Sequence, residues 1–90
     1  MTAPLPLGRV VATPGALKLF METGAHLFEY LARHATGDWG ELCAFDCRQN
    51  EIALREGYRV LSSYAVGREC VWVVTEADRS VTTILLPEEY

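Results

Sequence analysis

The chain has 90 residues, enough for one hydrophobic core and too few for two. Half are hydrophobic and 22% are charged, a globular composition rather than a disordered one. The formal charge of −4, with Lys18 as the sole lysine and the arginines scattered, argues against a nucleic-acid footprint and is too modest for a DNA mimic.

No apolar run approaches the roughly 18 residues a membrane helix needs, so no membrane partner is expected. The opening stretch, Met1 to Gly8, has neither a basic region nor an apolar one, which points to a cytoplasmic protein with reduced thiols. Cys43, Cys47 and Cys70 are an odd set. Cys43 and Cys47 lie four apart, but with His26 or His34 they fall short of a recognisable metal pattern. No metal or other cofactor is expected.

Residues 1–6, with Pro4 and Pro6, read as a loose arm on a single domain spanning 1–90. A short strand follows over 7–12, centred on Val10 and Val11. Thr13-Pro14 is a helix start, with threonine as N-cap and proline at the first helical position. That helix runs to about Thr23 and stops at Gly24, with Leu17, Phe20 and Met21 as its inward face. A second helix covers about 25–35, with Leu27, Phe28, Leu31 and Ala32 as its apolar stripe. Gly37-Asp38-Trp39-Gly40 is a turn whose tryptophan plugs the end of the core. A polar third helix is predicted over about 46–56, started by Asp46 and Gln49 and stopped by Gly57.

After Gly57 the period changes to two. Strands are predicted over 58–66, 69–75 and 80–86, joined by Gly67-Arg68 and by Glu76-Ala77-Asp78-Arg79. Connections this short make an antiparallel meander. The fold class is therefore α+β, with three helices on one face of a three-stranded meander and the N-terminal strand at an edge.

Chemistry-bearing residues are few. The run from Thr75 to Ser80, continued by Thr82 and Thr83, reads as a hairpin connection and strand. Its functional alternative is a polar site in which Arg79, Ser80, Thr82 and Thr83 hold a phosphate or carboxylate. His34 suits the dipole at the end of the second helix. Its functional alternative is a general base beside Asp38 and Arg79. Tyr58, Tyr64 and Trp72 fit core or interface better than a base-stacking platform, since no basic groove accompanies them. No nucleophile elbow, phosphate-binding loop, dinucleotide fingerprint or zinc-protease pattern is present.

The stretches Val11-Ala12-Thr13-Pro14-Gly15-Ala16-Leu17, Gly37-Asp38-Trp39-Gly40, Gly57-Tyr58-Arg59-Val60-Leu61-Ser62 and the closing segment from Trp72 to Tyr90 resemble a family of short bacterial proteins. That family is carried on plasmids, integrated elements and gene cassettes, and its members are often labelled restriction-system subunits. The resemblance covers about residues 7–90 and implies a mobile bacterial gene, without a transferable activity or catalytic residues. No cofactor-binding βαβ unit of a methyltransferase is present.

Three functions remain. The first is a non-enzymatic accessory or interaction factor that binds another protein or itself as a homodimer, with Tyr64, Arg79 and Tyr90 as its exposed surface. The second is a small ribonuclease of the barnase or RelE-like toxin kind, which the acidic charge opposes. The third is a small-ligand binder using a pocket between helices and sheet.

Overall fold

A computed structural model describes residues 4–90. Three helices pack on one face of a four-stranded mixed sheet ordered β1-β4-β3-β2. β1 (Arg9–Ala12) is the edge strand and runs parallel to β4 (Val81–Leu85). β2 (Val60–Val66), β3 (Glu69–Thr75) and β4 form the expected antiparallel meander. A chain that enters the sheet at β1 and returns to it through helices reaches the edge in the parallel sense, whereas the later strands turn back directly. Among the described residues no helix is long and apolar enough to cross a membrane.

α1 (Pro14–Thr23) starts where Thr13 and Pro14 place it. The Thr13 hydroxyl accepts the Ala16 N–H, and Gly24 closes the helix in the left-handed conformation. Its inward face is Ala16, Leu19 and Phe20, whereas Leu17 and Met21 are exposed. Both sets have helical spacing, and the sheet accepts the one that puts the small Ala16 against it.

α2 (Leu27–Ala35) is rotated in the same manner. Leu27, Tyr30, Leu31 and His34 turn inward, while Phe28 and Ala32 face out. α3 (Ala44–Glu56) starts two residues earlier than predicted, from Cys43, whose thiol donates to the Asp46 carboxylate in place of a cap bond.

The main core joins Ala16, Leu19, Phe20 and Leu31 to Tyr64, Val66, Val71, Val73 and Ile84 of the sheet. A second cluster gathers Leu5, Trp39, Ala53 and Val60 at one end, so Trp39 plugs the core as expected. Of the arm expected over 1–6, residues 1–3 lie outside the described residues. Leu5 is buried and its N–H bonds the Ala35 carbonyl at 2.8 Å, which ties this part of the arm to the end of α2.

The free edge of β2 is closed by side chain and loop. The Asn50 amide receives the Leu61 N–H at 3.2 Å and donates to the Leu61 carbonyl at 2.7 Å, as a neighbouring strand would. Two residues on, the Trp39–Glu41 segment bridges Ser63: the Ser63 N–H bonds the Trp39 carbonyl, and the Glu41 N–H bonds the Ser63 carbonyl. Gly40 sits in the left-handed region at φ 73°, where a Cβ would run into the Ser63 carbonyl and the Tyr64 ring, so only glycine permits this approach.

Candidate functional site

α2 delivers His34 into the core, where it is fully buried. Its Nδ1 lies 2.5 Å from the Ser62 hydroxyl on β2, and its Nε2 lies 2.9 Å from the Thr75 hydroxyl on β3. Thr75 is 2.7 Å from the Thr82 hydroxyl on β4, which donates to the Leu7 carbonyl at 2.7 Å.

Each hydroxyl has one proton, so this chain has a single consistent direction. Thr82 spends its proton on Leu7, so Thr75 donates to Thr82. His34 Nε2–H then donates to Thr75, and Ser62 donates to Nδ1. The imidazole is neutral and protonated on Nε2. Burial, helped by the positive charge of Arg79, lowers its pKa from 6.5 to about 4. All four polar side chains are buried and satisfied, and together with Leu7 they tie α2, β2, β3, β4 and the segment that leads into β1.

The residues singled out from sequence divide among five places. His34 and Thr82 come together through Thr75. Asp38 stays on the surface in an ion pair with Arg33 at 2.7 Å, which holds its carboxyl below the usual range and raises the guanidinium. Thr83 lies on the opposite face of β4, across from Val74, and Ser80 is exposed and bonded to Asp78. Arg79 is half-buried and donates to the carbonyls of Tyr58 at 2.7 Å, Glu76 at 3.1 Å and Ala53 at 3.1 Å. It therefore caps the end of α3. An anion clamp of Arg79, Ser80, Thr82 and Thr83 does not form, and His34 is sealed from solvent.

Arg79 is also the one non-glycine residue with positive φ among the described residues, at 62°. The Arg79 N–H bonds the Glu76 carbonyl and the Glu76 N–H bonds the Val81 carbonyl, so it fills the left-handed position of a hairpin loop where glycine is usual.

Tyr64, expected on the exposed surface, is buried instead. Its position in β2 alternates with Ala65, so its ring joins the helix-facing core, and Arg33 lies 4.6 Å above the ring centre. Its hydroxyl donates to the Asp38 carbonyl at 2.6 Å, and burial pushes its pKa up to about 12. Trp72 points to the other face of the sheet, so Tyr64 and Trp72 share no aromatic stripe. Tyr90 is exposed as expected; it meets Trp72 at 5.4 Å between ring centres, and its hydroxyl accepts from Arg59.

Ser62 and Asn50 were not singled out by sequence, and Thr75 entered only as the first residue of the polar run. The alternation Val60, Ser62, Tyr64, Val66 was the available signal for Ser62, since it shares a face with three large side chains.

The outer face of the sheet is the larger surprise. In a meander covered on one side, the water-facing positions are usually polar. Here the outer positions include Leu61, Ala65, Cys70, Trp72, Val74 and Leu85, of which Val74 and Leu85 are themselves buried and Leu61, Cys70 and Trp72 are half-buried. The closing 3-10 turn (Pro87–Glu89) and Tyr90 pack over part of this face, against β3. Beside β2 a groove of about 460 Å³ stays open, with Leu61, Ser63 and Trp72 among its walls and Glu41 and Asp46 supplying acidic groups. A second groove of about 520 Å³ lies at the arm, between Leu5, Trp39, Leu54, Glu51 and Arg79. Among the described residues no three His, Cys, Asp or Glu side chains converge as metal ligands. No family model, curated protein or solved structure compared with this chain matches it.

Proposed function

We propose that the chain is a small non-enzymatic interaction factor, of the kind carried on mobile bacterial elements, and that it binds a protein partner on the outer sheet face. The observation that carries this reading is the apolar floor of the groove beside β2. Leu61 and Trp72 line it, and Glu41 and Asp46 flank it. Such a site suits an apolar anchor side chain with Arg or Lys beside it. The resemblance to short mobile-element proteins supports the setting.

The two other readings have less behind them. His34, the general base singled out from sequence, is enclosed on all sides and cannot serve a ribonuclease in that role. The groove at the arm offers a small ligand an apolar wall, but the Arg79 guanidinium beside it is occupied by three backbone carbonyls.

The test is affinity capture of the tagged protein from a bacterial host, with and without nuclease, read by mass spectrometry. Ser63→Arg runs in parallel, because it places a cation in the groove without touching the core. A stoichiometric protein that survives nuclease and is lost with Ser63→Arg is the expected result. Recovery of ribosomes and RNA, lost on nuclease treatment, would move the weight to the ribonuclease reading. A partner indifferent to Ser63→Arg would remove the groove from it.

A further inference from the structure

The two edges of the sheet are treated differently. β2 is closed at Leu61 by Asn50 and at Ser63 by the Gly40 bridge. Among the described residues β1 has no such cover. Its inward bonds begin with Arg9 N–H to the Ser80 carbonyl and end with Thr13 N–H to the Ile84 carbonyl. Alternation along the strand therefore turns the N–H and C=O groups of Val10 and Ala12 outward. Arg9, Val10 and Val11 are exposed. An uncovered edge with β-branched side chains is a template for another strand.

We propose that β1 pairs antiparallel with β1 of a second copy, about a two-fold axis at Val11, and doubles the four-stranded sheet. The chain itself selects this register from the three that are near at hand. Pairing Val10 with Val10 would bring Gly8 into the ladder, and Gly8 leaves the extended region at φ 63°. Pairing Ala12 with Ala12 would set Val10 against Pro14, which has no N–H to give. Pairing Val10 with Ala12 of the second copy uses every outward group of the strand, in about four hydrogen bonds.

The same register brings opposite charges together. Arg9, Val11 and Thr13 share a face of the strand, and Arg9 comes opposite Thr13 of the second copy. The Thr13 hydroxyl donates to the Glu89 carboxylate at 2.6 Å. Each Arg9, which has no ion-pair partner among the described residues, thus meets a Glu89 from the other chain, twice by symmetry. A four-residue strand buries a small area, so the affinity belongs to the weak class, with Kd on the order of 10–100 μM.

The dimer stands apart from the docking reading, because β1 lies at the opposite edge from the groove. Sedimentation equilibrium across a concentration series up to about 1 mM, bracketing that Kd, tests it. The expected species has twice the 10.0 kDa mass of the chain and weakens as salt rises. Val10→Pro removes an outward donor while leaving the bonds to β4, and is expected to give a monomer at least tenfold weaker in association. Ser63→Arg is expected to leave the dimer unchanged.

Val11→Cys under mild oxidant gives an independent readout. Non-hydrogen-bonded antiparallel partners have Cα atoms about 4.5 Å apart, within disulfide range, so a symmetric cross-link mapped to position 11 is expected. A monomer throughout the series, a dimer indifferent to Val10→Pro, or absence of the position-11 cross-link would each overturn the proposal. If Val10→Pro does not fold, the cross-link decides.

Discussion

Lowering the pH should destabilise this protein through one residue before its carboxylates begin to matter. His34 is neutral in the folded state because both ring nitrogens are already committed: Nε2 donates to Thr75 and Nδ1 accepts from Ser62. A proton on Nδ1 would meet the Ser62 proton, and Ser62 would have to find another acceptor within the core. The folded pKa of about 4 lies below the ordinary 6.5, so between those values the unfolded chain binds a proton that the folded chain does not. Stability from this source is complete above pH 6.5 and falls as the pH falls toward 4, by about 3 kcal/mol in all. Between pH 7 and 5 the loss is about 2 kcal/mol, a large part of the margin of a small domain. Asp38, Asp78 and Glu89, whose pKa values are lowered by Arg33, Ser80 and Thr13 respectively, lose their contributions only at more acid pH. The assay is urea unfolding at half-unit pH steps, where the midpoint should drop by about 1–2 M between pH 7 and 5. His34→Gln keeps an amide donor and acceptor and should flatten that slope, at a cost of about 1–3 kcal/mol at pH 7. A midpoint independent of pH in the native chain, or a slope that survives His34→Gln, refutes the sealed-imidazole argument.

Further substitutions test the remaining parts of the fold. Arg79→Ala removes three carbonyl contacts while keeping a Cβ at a left-handed position, and should cost about 2 kcal/mol in urea unfolding. Arg79→Gly loses the same contacts but relaxes the backbone, so it should retain about 1 kcal/mol of that loss; equal values for the two would remove the strain from the explanation. Asn50→Leu strips both bonds from Leu61 and should lower stability by about 2 kcal/mol, with faster hydrogen exchange at the Leu61 amide. Tyr90→Ala uncovers Trp72, so tryptophan emission should shift to the red, with about 1 kcal/mol of lost stability. Trp39, buried at the far cluster, should not contribute to that shift.

The elements were legible in the sequence because their boundaries are written in local chemistry. Thr13-Pro14 starts a helix, Gly24 and Gly57 close helices, and the period of two after Gly57 can only be strand. Which way each element faces was not legible. In α1 the set Leu17, Phe20 and Met21 competes with Ala16, Leu19 and Phe20, and helical spacing permits both. In α2 the apolar stripe lost Phe28 and gained His34, because the Ser62 and Thr75 hydroxyls of the sheet gave the imidazole two partners that no local reading reveals. Tyr64 failed for the same reason: a tyrosine in an alternating strand belongs to whichever face the helices cover. The link between His34 and Thr82 spans residues far apart in the chain, and it depends on Thr75, which looked like an ordinary strand threonine.

The two sheet faces also show why hydrophobicity alone could not choose between them. The face under the helices carries Ser62, Thr75 and Thr82 among its valines, while the outer face carries Leu61, Trp72, Val74 and Leu85. On composition either would serve as the core side. The buried hydroxyls are affordable only where His34 and the Leu7 carbonyl meet them, and that geometry exists on the helix side alone. A register slip in β2, β3 or β4 would turn Ser62, Thr75 or Thr82 away from that chain and leave its neighbours unsatisfied, so the polar links fix the pairing that valines would leave loose. Once they have done so, the apolar side chains that remain must face outward. Tyr90 and the closing turn cover part of them, and Leu61 and Trp72 are left lining an acidic groove. The polar chemistry that closes the core is therefore what leaves apolar side chains on the outer face of the sheet.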